Sequence, residues 1–596
     1  MILTLFDWSI ILAFFAFSLL IGLYAAKTAG KDTAEFFLSG RSMPWWLLGV
    51  SMVATTFSCD TPNLVTDIVR QNGVSGNWAW WAFLLTGMLT VFVYARLWQR
   101  SQVLTDLEFY EIRYSGKMAA FLRGFRALYL GVFFNILVMA TVSLAMIKIG
   151  AVMLQWSDVK TLLVVSSITV IYSMMGGLRG VMLTDFFQFI ISMIGAIGGA
   201  LILINMPEIG GLDGLLQHPA VAPRLNILPD FNNTEALITL LILPLAVQWW
   251  SVWYPGAEPG GGGYVAQRML SAKSEADSVG GTLLFNVAHY ALRPWPWIIV
   301  ALASLVIFPD IASMRAAFPN VDPAIIKHDF AYPAMLSYLP AGFLGLVVAS
   351  LIAAFMSTIS THLNWGSSYI VNDFYKRFVD PQASERILVL VGRISTLLLM
   401  VVACIFALLL SNALQAFNIL LQIGAGTGLI FILRWFWWRI NAYSEITAMV
   451  VSFLIALYFN FVHSHTGLPE LSNAAQLVSG VLITTAAWVL VTFLTRPVDT
   501  TTLLKFYRLV RPGGPGWQKL AGLAAEDGEL SSDHIRHDWD VPSGIIAMIA
   551  GCLAVYGMLF AVGYWLYGNT GPASIMTIIA LGAGAWLVRF FRKRSY

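Results

Sequence analysis

The 596-residue chain is 58% hydrophobic and only 11% charged, whereas about a quarter of the residues in an average soluble domain are charged. This composition excludes an ordinary water-soluble enzyme and predicts a protein that lies in the lipid bilayer. The small net charge of +3 does not indicate a nucleic-acid partner. All three cysteines lie within apolar runs, which argues against a disulfide framework and against a zinc cluster.

Apolar runs long enough to cross a bilayer recur along the whole chain. A helix needs about 20 such residues to cross about 30 Å of hydrocarbon. The first run has no basic segment before it and no cleavage site, so we expect a retained anchor. Fifteen spans are predicted, near residues 8–26, 45–72, 77–99, 119–154, 160–177, 184–206, 236–256, 280–307, 341–376, 386–411, 414–438, 442–463, 473–495, 542–567 and 571–592.

Lysine and arginine are concentrated in alternate loops, and such positive charge is retained on the cytoplasmic side of a membrane. The pattern fits an N-terminus outside the cell and, with an odd number of spans, a cytoplasmic C-terminus. We therefore expect a multi-pass protein of the plasma or inner membrane. The predicted cytoplasmic end carries Arg589, Arg592, Lys593 and Arg594.

The second span contains a polar run, Thr55-Thr56-Phe57-Ser58-Cys59-Asp60-Thr61-Pro62. Pro62 lacks an N–H group and crowds the preceding turn, and a carboxylate inside a membrane is costly. This pattern predicts a broken helix at a functional site. A proline kink packed against neighbouring helices is the equally weighted alternative.

The seventh span runs through Gln248 and Trp253 to Pro255, Glu258 and then four consecutive glycines at 260–263. Glycine and proline at this density exclude a stable helix interior. The span either ends in an ordinary loop, which the segment alone favours, or unwinds inside the membrane and lines a cavity.

The ninth span places Ser357, Ser360 and Thr361 at i, i+3 and i+4, so their hydroxyls share one face of a helix. Thr358 lies about 100° further round. Hydroxyl and carbonyl oxygens are suitable ligands for a hard cation. Packing of small residues between membrane helices is the alternative explanation.

Residues 496–541 are the one clearly soluble stretch between spans. They contain Arg-Pro-Gly-Gly-Pro-Gly-Trp at 511–517 and an acidic run at 526–529, which is typical of turns and linkers. The stretch is too short for a catalytic domain, which disfavours both a membrane enzyme and a sensor joined to a signalling module.

Two discontinuous spans five positions apart point to a transporter with inverted repeats and a binding site near the middle of the membrane. Spans 2–6 and 7–11 would be the repeats. The expected divisions are residues 1–44, 45–206 (first repeat), 236–440 (second repeat), 441–495, 496–541 (cytoplasmic linker) and 542–596.

Four motifs together resemble the sodium/solute symporter family, which includes sodium/glucose, sodium/proline and sialic acid transporters. They lie at residues 37–46, 176–188, 267–273 and 354–376, and their order and spacing are specific although each alone is weak. The resemblance implies an all-α membrane protein with the LeuT-type fold. This fold has a five-plus-five inverted repeat, here with one extra helix before the repeats and about four after them.

The resemblance also implies ion sites. The positions that match the family's main sodium site are Ala54, Phe57, Ala354, Ser357 and Thr358. The positions that match a second sodium site, present in some members, are Asp185, Ser357, Ser360 and Thr361. No other cofactor is expected.

The solute site is expected between the two broken spans. His289 and Arg293 are one turn apart on the eighth span, and Arg293 is a hypothetical partner of Glu258 or of a substrate oxygen, with a structural ion pair as the alternative. The solute-binding candidates are Thr56, Asp60, Thr61, Gln248, Trp253, Glu258, His289, Arg293, Asn418 and Gln422.

Together these observations predict sodium-coupled uptake of a small polar organic solute, with a sugar favoured. Amino-acid or carboxylate symport is the alternative within this class, and a transporter-like membrane sensor is the alternative outside it. The expected partners are sodium ions, the solute and the bilayer.

Overall fold

A computed structural model describes residues 3–29, 32–56, 58–251, 258–410, 424, 426–526 and 539–593. These residues form helices and connecting loops, and one isolated β-bridge joins Met43 to Ala272. Eleven helices within the described ranges are long and apolar enough to cross a membrane. The chain is therefore an integral multi-pass membrane protein. Its orientation in the membrane stays a prediction.

The first half of the chain contains α1 to α6. Their bounds are Leu5–Ala29 (α1), Trp45–Thr56 (α2), Asp60–Asn72 (α3), Val74–Ser101 (α4), Gly116–Leu154 (α5) and Asp158–Ile204 (α6). The predicted break in the second span is confirmed, because α2 and α3 are separate helices.

Helix α6 is 47 residues long, about 70 Å, which is more than twice the hydrocarbon thickness. Gly177 divides it, since its backbone is non-helical at φ 52° and ψ −160°. A side chain is disfavoured at this positive φ, which explains a glycine here. The two parts match the predicted fifth and sixth spans.

The second half contains α7 to α13. Their bounds are Thr234–Ala246 (α7), Gly263–Leu270 (α8), Glu275–Ile307 (α9), Phe343–Val379 (α10), Glu385–Leu409 (α11), Ala442–His465 (α12) and Asn473–Leu494 (α13). Residues 414–423 and 425 of the predicted eleventh span, 414–438, lie outside the described residues, and 426–433 are helical.

The stretch predicted as turn and linker structure differs from that expectation. It contains two helices, Thr500–Val510 (α14) and Gln518–Glu526 (α15), whose inner faces are buried. Two final membrane helices follow, Val541–Leu566 (α16) and Thr570–Lys593 (α17). They pack on each other, and α16 packs on α4.

Candidate functional site

The break between α2 and α3 results from local chemistry. Pro62 lies in the first turn of α3, where its missing N–H group costs nothing. Asp60 is the first residue of α3, and its negative charge is favourable at a helix N-terminus. Asp60 and Pro62 therefore favour the start of a new helix, α3, directly after the break.

Side chains donate hydrogen bonds to the backbone carbonyls at the end of α2. The carbonyl of Val53 accepts from Arg293 Nη1 at 3.2 Å, that of Thr55 from Thr358 Oγ1 at 2.7 Å, and that of Thr56 from Thr61 Oγ1 at 3.4 Å. The last carbonyls of a helix have no partner within it. This helix end is therefore a cluster of oxygens available to polar side chains or a cation.

The hydroxyl stripe predicted on the ninth span lies on α10 and faces this cluster. Ser357, Thr358, Ser360 and Thr361 are all buried. Thr361 Oγ1 lies 2.9 Å from Thr55 Oγ1, whereas Ser360 donates to the carbonyl of Ser357 in its own helix. Ala54 and Ala354 are buried on the same two helices. Phe57, the remaining predicted sodium ligand, lies outside the described residues.

Asp185 on α6 joins three helices. One carboxylate oxygen accepts from Ser357 Oγ at 2.6 Å and the other from Ser51 Oγ on α2 at 2.5 Å. Arg268 on α8 approaches the second oxygen to 3.7 Å and donates to Thr361 Oγ1 at 2.7 Å. In this conformation a buried guanidinium therefore contacts two members of the predicted second sodium site.

Sequence reasoning assigned no role to Ser51 or Arg268. The available signal was the Gln267-Arg268 motif, since a charged residue beside apolar spans is expected to have a partner. The partner itself, Asp185, is 83 positions away in the chain. No local pattern identifies it.

A cavity of about 510 Å³ begins at this junction and extends along α3. Thr55 and Thr358 line its buried inner end, and the exposed residues Gln71, Arg315 and Lys327 line its mouth. Five of the solute candidates line this cavity: Thr56, Asp60, Thr61, His289 and Arg293.

His289 and Arg293 form one side of the cavity, on α9. Thr56 Oγ1 lies 3.1 Å from His289 Nδ1, and the guanidinium of Arg293 contacts the same imidazole. Trp80 stacks on Tyr290 at a centroid distance of 6.0 Å and meets His289 edge-on at 5.7 Å. Trp80 and Tyr290 also line the cavity, and the sequence analysis identified neither.

The described part of the second break, residues 258–262, is not helical and is buried in the protein. Glu258 forms an ion pair with Arg126 on α5, so the predicted pairing of Glu258 with Arg293 is wrong. The carbonyl of Gly260 accepts from Trp98 Nε1 at 2.8 Å, and the N–H of Gly263 donates to Asp106 at 2.9 Å.

Of the remaining solute candidates, the two that the structure describes lie away from this cavity. Gln248 donates to the carbonyl of Ala79 at 2.8 Å, and neither Gln248 nor Glu258 is among the residues that line the described cavity. Trp253, Asn418 and Gln422 fall outside the described residues. The second broken span thus supplies no described group to this cavity.

Charged groups surround the cavity mouth. Lys148 on α5 donates to Asp329 at 2.5 Å, and Arg70 on α3 donates to the carbonyl of Phe308 at 2.8 Å and to His328 Nδ1 at 3.4 Å. Partial burial and the neighbouring charge of Arg70 lower the pKa of His328.

At the opposite end of α2, residues just before the first predicted repeat contact both repeats. Arg41 donates to the carbonyls of Leu270 at 3.1 Å, Gln102 at 2.9 Å and Val103 at 2.8 Å. The N–H of Met43 donates to the carbonyl of Ser271 at 3.1 Å. We call this side the closed face. The site is therefore accessible at one face of the protein and covered at the other.

Comparison with known proteins agrees with this arrangement. Residues 36–452 match the sodium:solute symporter family. The sodium/glucose cotransporter of Vibrio parahaemolyticus is 26% identical over 74% of this chain and 82% of its own. The sodium/myo-inositol cotransporter 2 of Mus musculus is 26% identical over 76% of this chain and 69% of its own.

A solved structure of a Na⁺-coupled sialic acid symporter, substrate-bound and outward-open, has a similar fold. Its TM-score is 0.66 at 20% identity, over 83% of this chain and 99% of that one. The all-helical membrane architecture and the inverted repeat of the LeuT type are thereby confirmed. The chain belongs to the sodium:solute symporter family and is a transporter, not an enzyme.

Proposed function

We propose that this symporter moves a small polar organic solute into the cell with sodium, by alternating access, and that the solute is a sugar or polyol. One observation carries the proposal: Thr55 and Thr358, whose hydrogen bond joins α2 to α10, also line the inner end of the cavity. An ion at this junction and a solute in the cavity would be neighbours. Because both would favour the same arrangement of the helices, each would strengthen binding of the other.

The proposed sodium ligands are the carbonyls of Ala54, Phe57 and Ala354 and the hydroxyls of Ser357 and Thr358. Hard oxygen ligands of this kind suit a hard cation. The hydrogen bond from Thr358 to the carbonyl of Thr55 brings the two helices close enough to share one ion.

The proposed second sodium site consists of Asp185, Ser357, Ser360 and Thr361. In the conformation described here, Arg268 contacts Asp185 and Thr361. We therefore expect a second ion to bind only in a conformation in which Arg268 has moved away.

The solute would contact Thr56, Asp60 and Thr61 on one wall and His289 and Arg293 on the other. Hydroxyl, carboxylate and guanidinium groups can each bond the hydroxyls of a sugar, and the ring of Trp80 provides an apolar surface. The relatives named above act on glucose and myo-inositol, which favours this class.

A second solute class is favoured by a specific observation. Asp60 and Arg293 both line the cavity, so opposite charges are available to an amino acid, and Arg293 alone could bind a carboxylate. Amino-acid or carboxylate symport is therefore the alternative.

Uptake into proteoliposomes tests the proposal. Sugars, polyols, amino acids and carboxylates are compared under an inward sodium gradient, with potassium in place of sodium as the control. We expect sodium-dependent uptake of a sugar or polyol. Uptake that is indifferent to sodium would contradict the coupling, and sodium-dependent uptake of an amino acid or carboxylate alone would favour the alternative.

A further inference from the structure

Residues 500–526, which we call the strap, lie beyond the region that matches the family. The strap consists of α14, the glycine- and proline-rich turn 511–517 and α15. Its inner face is fully buried through Phe506, Tyr507 and Trp517, while Leu509 on the outer face is 44% exposed. The strap is thus a packed part of the protein and not a solvated connection.

The turn is fitted closely to the end of the helical segment 426–433. Trp517 Nε1 donates to the carbonyl of Trp435 at 2.8 Å, and the N–H of Trp438 donates to the carbonyl of Gly516 at 3.3 Å. A Cβ atom on Gly516 would lie 1.9 Å from the carbonyl oxygen of Phe436. Only glycine allows this approach without displacement of one of the two backbones.

The strap also covers a junction between the two predicted repeats. Arg113, from the first repeat, donates to the carbonyls of Arg434 and Trp437 in the second, both at 3.0 Å. Trp517 and Phe506 lie over its guanidinium at 4.9 and 5.5 Å from their ring centroids. Cation–π contacts of this kind are strongest where water is excluded, and Arg113 is completely buried.

This junction lies on the closed face. Helix α14 packs on the end of α4 and on residues 109–113, next to the loop whose carbonyls bind Arg41. From the strap, contacts continue inward to the second break: Trp435 meets Trp98 at 4.8 Å, and Trp98 donates to the carbonyl of Gly260.

We propose that the strap holds the closed face shut by joining the two repeats across Arg113, and that it must loosen before this face can open. Alternating access moves one repeat or bundle against the other. A segment that contacts both repeats in one arrangement stabilises that arrangement relative to the other. The strap would therefore set the balance between the two conformations.

The test measures the distance between spin labels at two exposed positions on this face, Lys117→Cys in the first repeat and Lys273→Cys in the second. Both are introduced into a full-length chain whose three cysteines are replaced by alanine. Trp517→Ala is expected to increase the population with a longer distance on the order of tenfold, which corresponds to about 1.4 kcal/mol. Neither sodium nor solute is needed, so the result is independent of the proposed solute.

Two variants control the experiment. Leu509→Ala changes an exposed residue of α14, in the same strap, and should leave the distances unchanged. Gly516→Ala places a methyl group against the carbonyl of Phe436 and should shift the distances in the same direction as Trp517→Ala. If Trp517→Ala fails to fold, Gly516→Ala decides the question. The proposal would be overturned if Gly516→Ala folds and its spin-label distances equal those of Leu509→Ala.

Discussion

The break between α2 and α3 and the break between α7 and α8 are surrounded by different chemistry. The first is bordered by hydroxyls and by backbone carbonyls that accept hydrogen bonds from side chains, at the inner end of a cavity. The described part of the second is buried against aromatic rings and held by contacts that include an ion pair and the hydrogen bonds of Gly260 and Gly263. The first break therefore fits the proposed binding role, whereas the described part of the second is packed into the protein.

The largest effect is expected at the second break. Glu258→Ala would leave Arg126 as a buried charge without its partner, at a cost of about 3–5 kcal/mol in the free energy of unfolding. Thermal unfolding of the purified protein in detergent measures the loss. Adding Arg126→Met should restore part of it, because the unpaired charge is then removed.

The control for this change is Glu275→Ala, which removes a partner of Arg100. Both side chains of that pair are more than a quarter exposed, so its loss should cost no more than about 1 kcal/mol. If Glu258→Ala and Glu275→Ala destabilise the protein equally, the second break does not depend on its ion pair.

At the first break we expect loss of function with little loss of stability. Ser357→Ala removes a proposed sodium ligand and should raise the sodium concentration for half-maximal uptake on the order of tenfold. Ser367→Ala is the matched control, since its hydroxyl bonds only to a carbonyl of the same helix among the contacts described. An unchanged sodium dependence in Ser357→Ala would exclude this residue from the site.

A more specific effect on transport is expected at Asp185. Asp185→Asn removes the negative charge of the proposed second site and should lower the number of sodium ions transported per solute molecule. The reversal potential of reconstituted protein measures this ratio. The same ratio in variant and parent would contradict a second ion at Asp185.

The smallest effect concerns pH at the cavity mouth. The pKa of His328 is lowered in the folded protein, so between that value and about 6.5 the unfolded chain binds more protons than the folded one. Stability should rise with pH through this window and be independent of His328 above it. His328→Gln should flatten the fall in melting temperature between pH 7 and pH 5, and an identical fall in both proteins would contradict the assignment.

The presence of both breaks could be predicted because their causes are local, although α7 ends at Ala246, before the predicted end of the seventh span. Pro62 and the glycines at 260–263 act on their own backbone. The hydroxyl stripe on α10 was likewise predictable from helical periodicity alone. These features locate the site along the chain before any contact is known.

Partners across the fold could not be predicted in the same way. Arg293 was a hypothetical partner of Glu258 or of a substrate oxygen, yet the structure pairs Glu258 with Arg126, 132 positions away. The strap was missed because glycine and proline usually indicate solvated turns. Here Gly516 allows backbone to pack on backbone, a close approach that depends on a distant segment.

After the solute and ions are released, an alternating-access transporter must change conformation again with its sites empty. An isolated carboxylate at Asp185 would then be buried as an uncompensated negative charge, at a cost of several kcal/mol. Arg268 lies against it, so the pair is electrically neutral without any ion. The return step of the empty transporter is therefore expected to move little charge through the membrane voltage at this site.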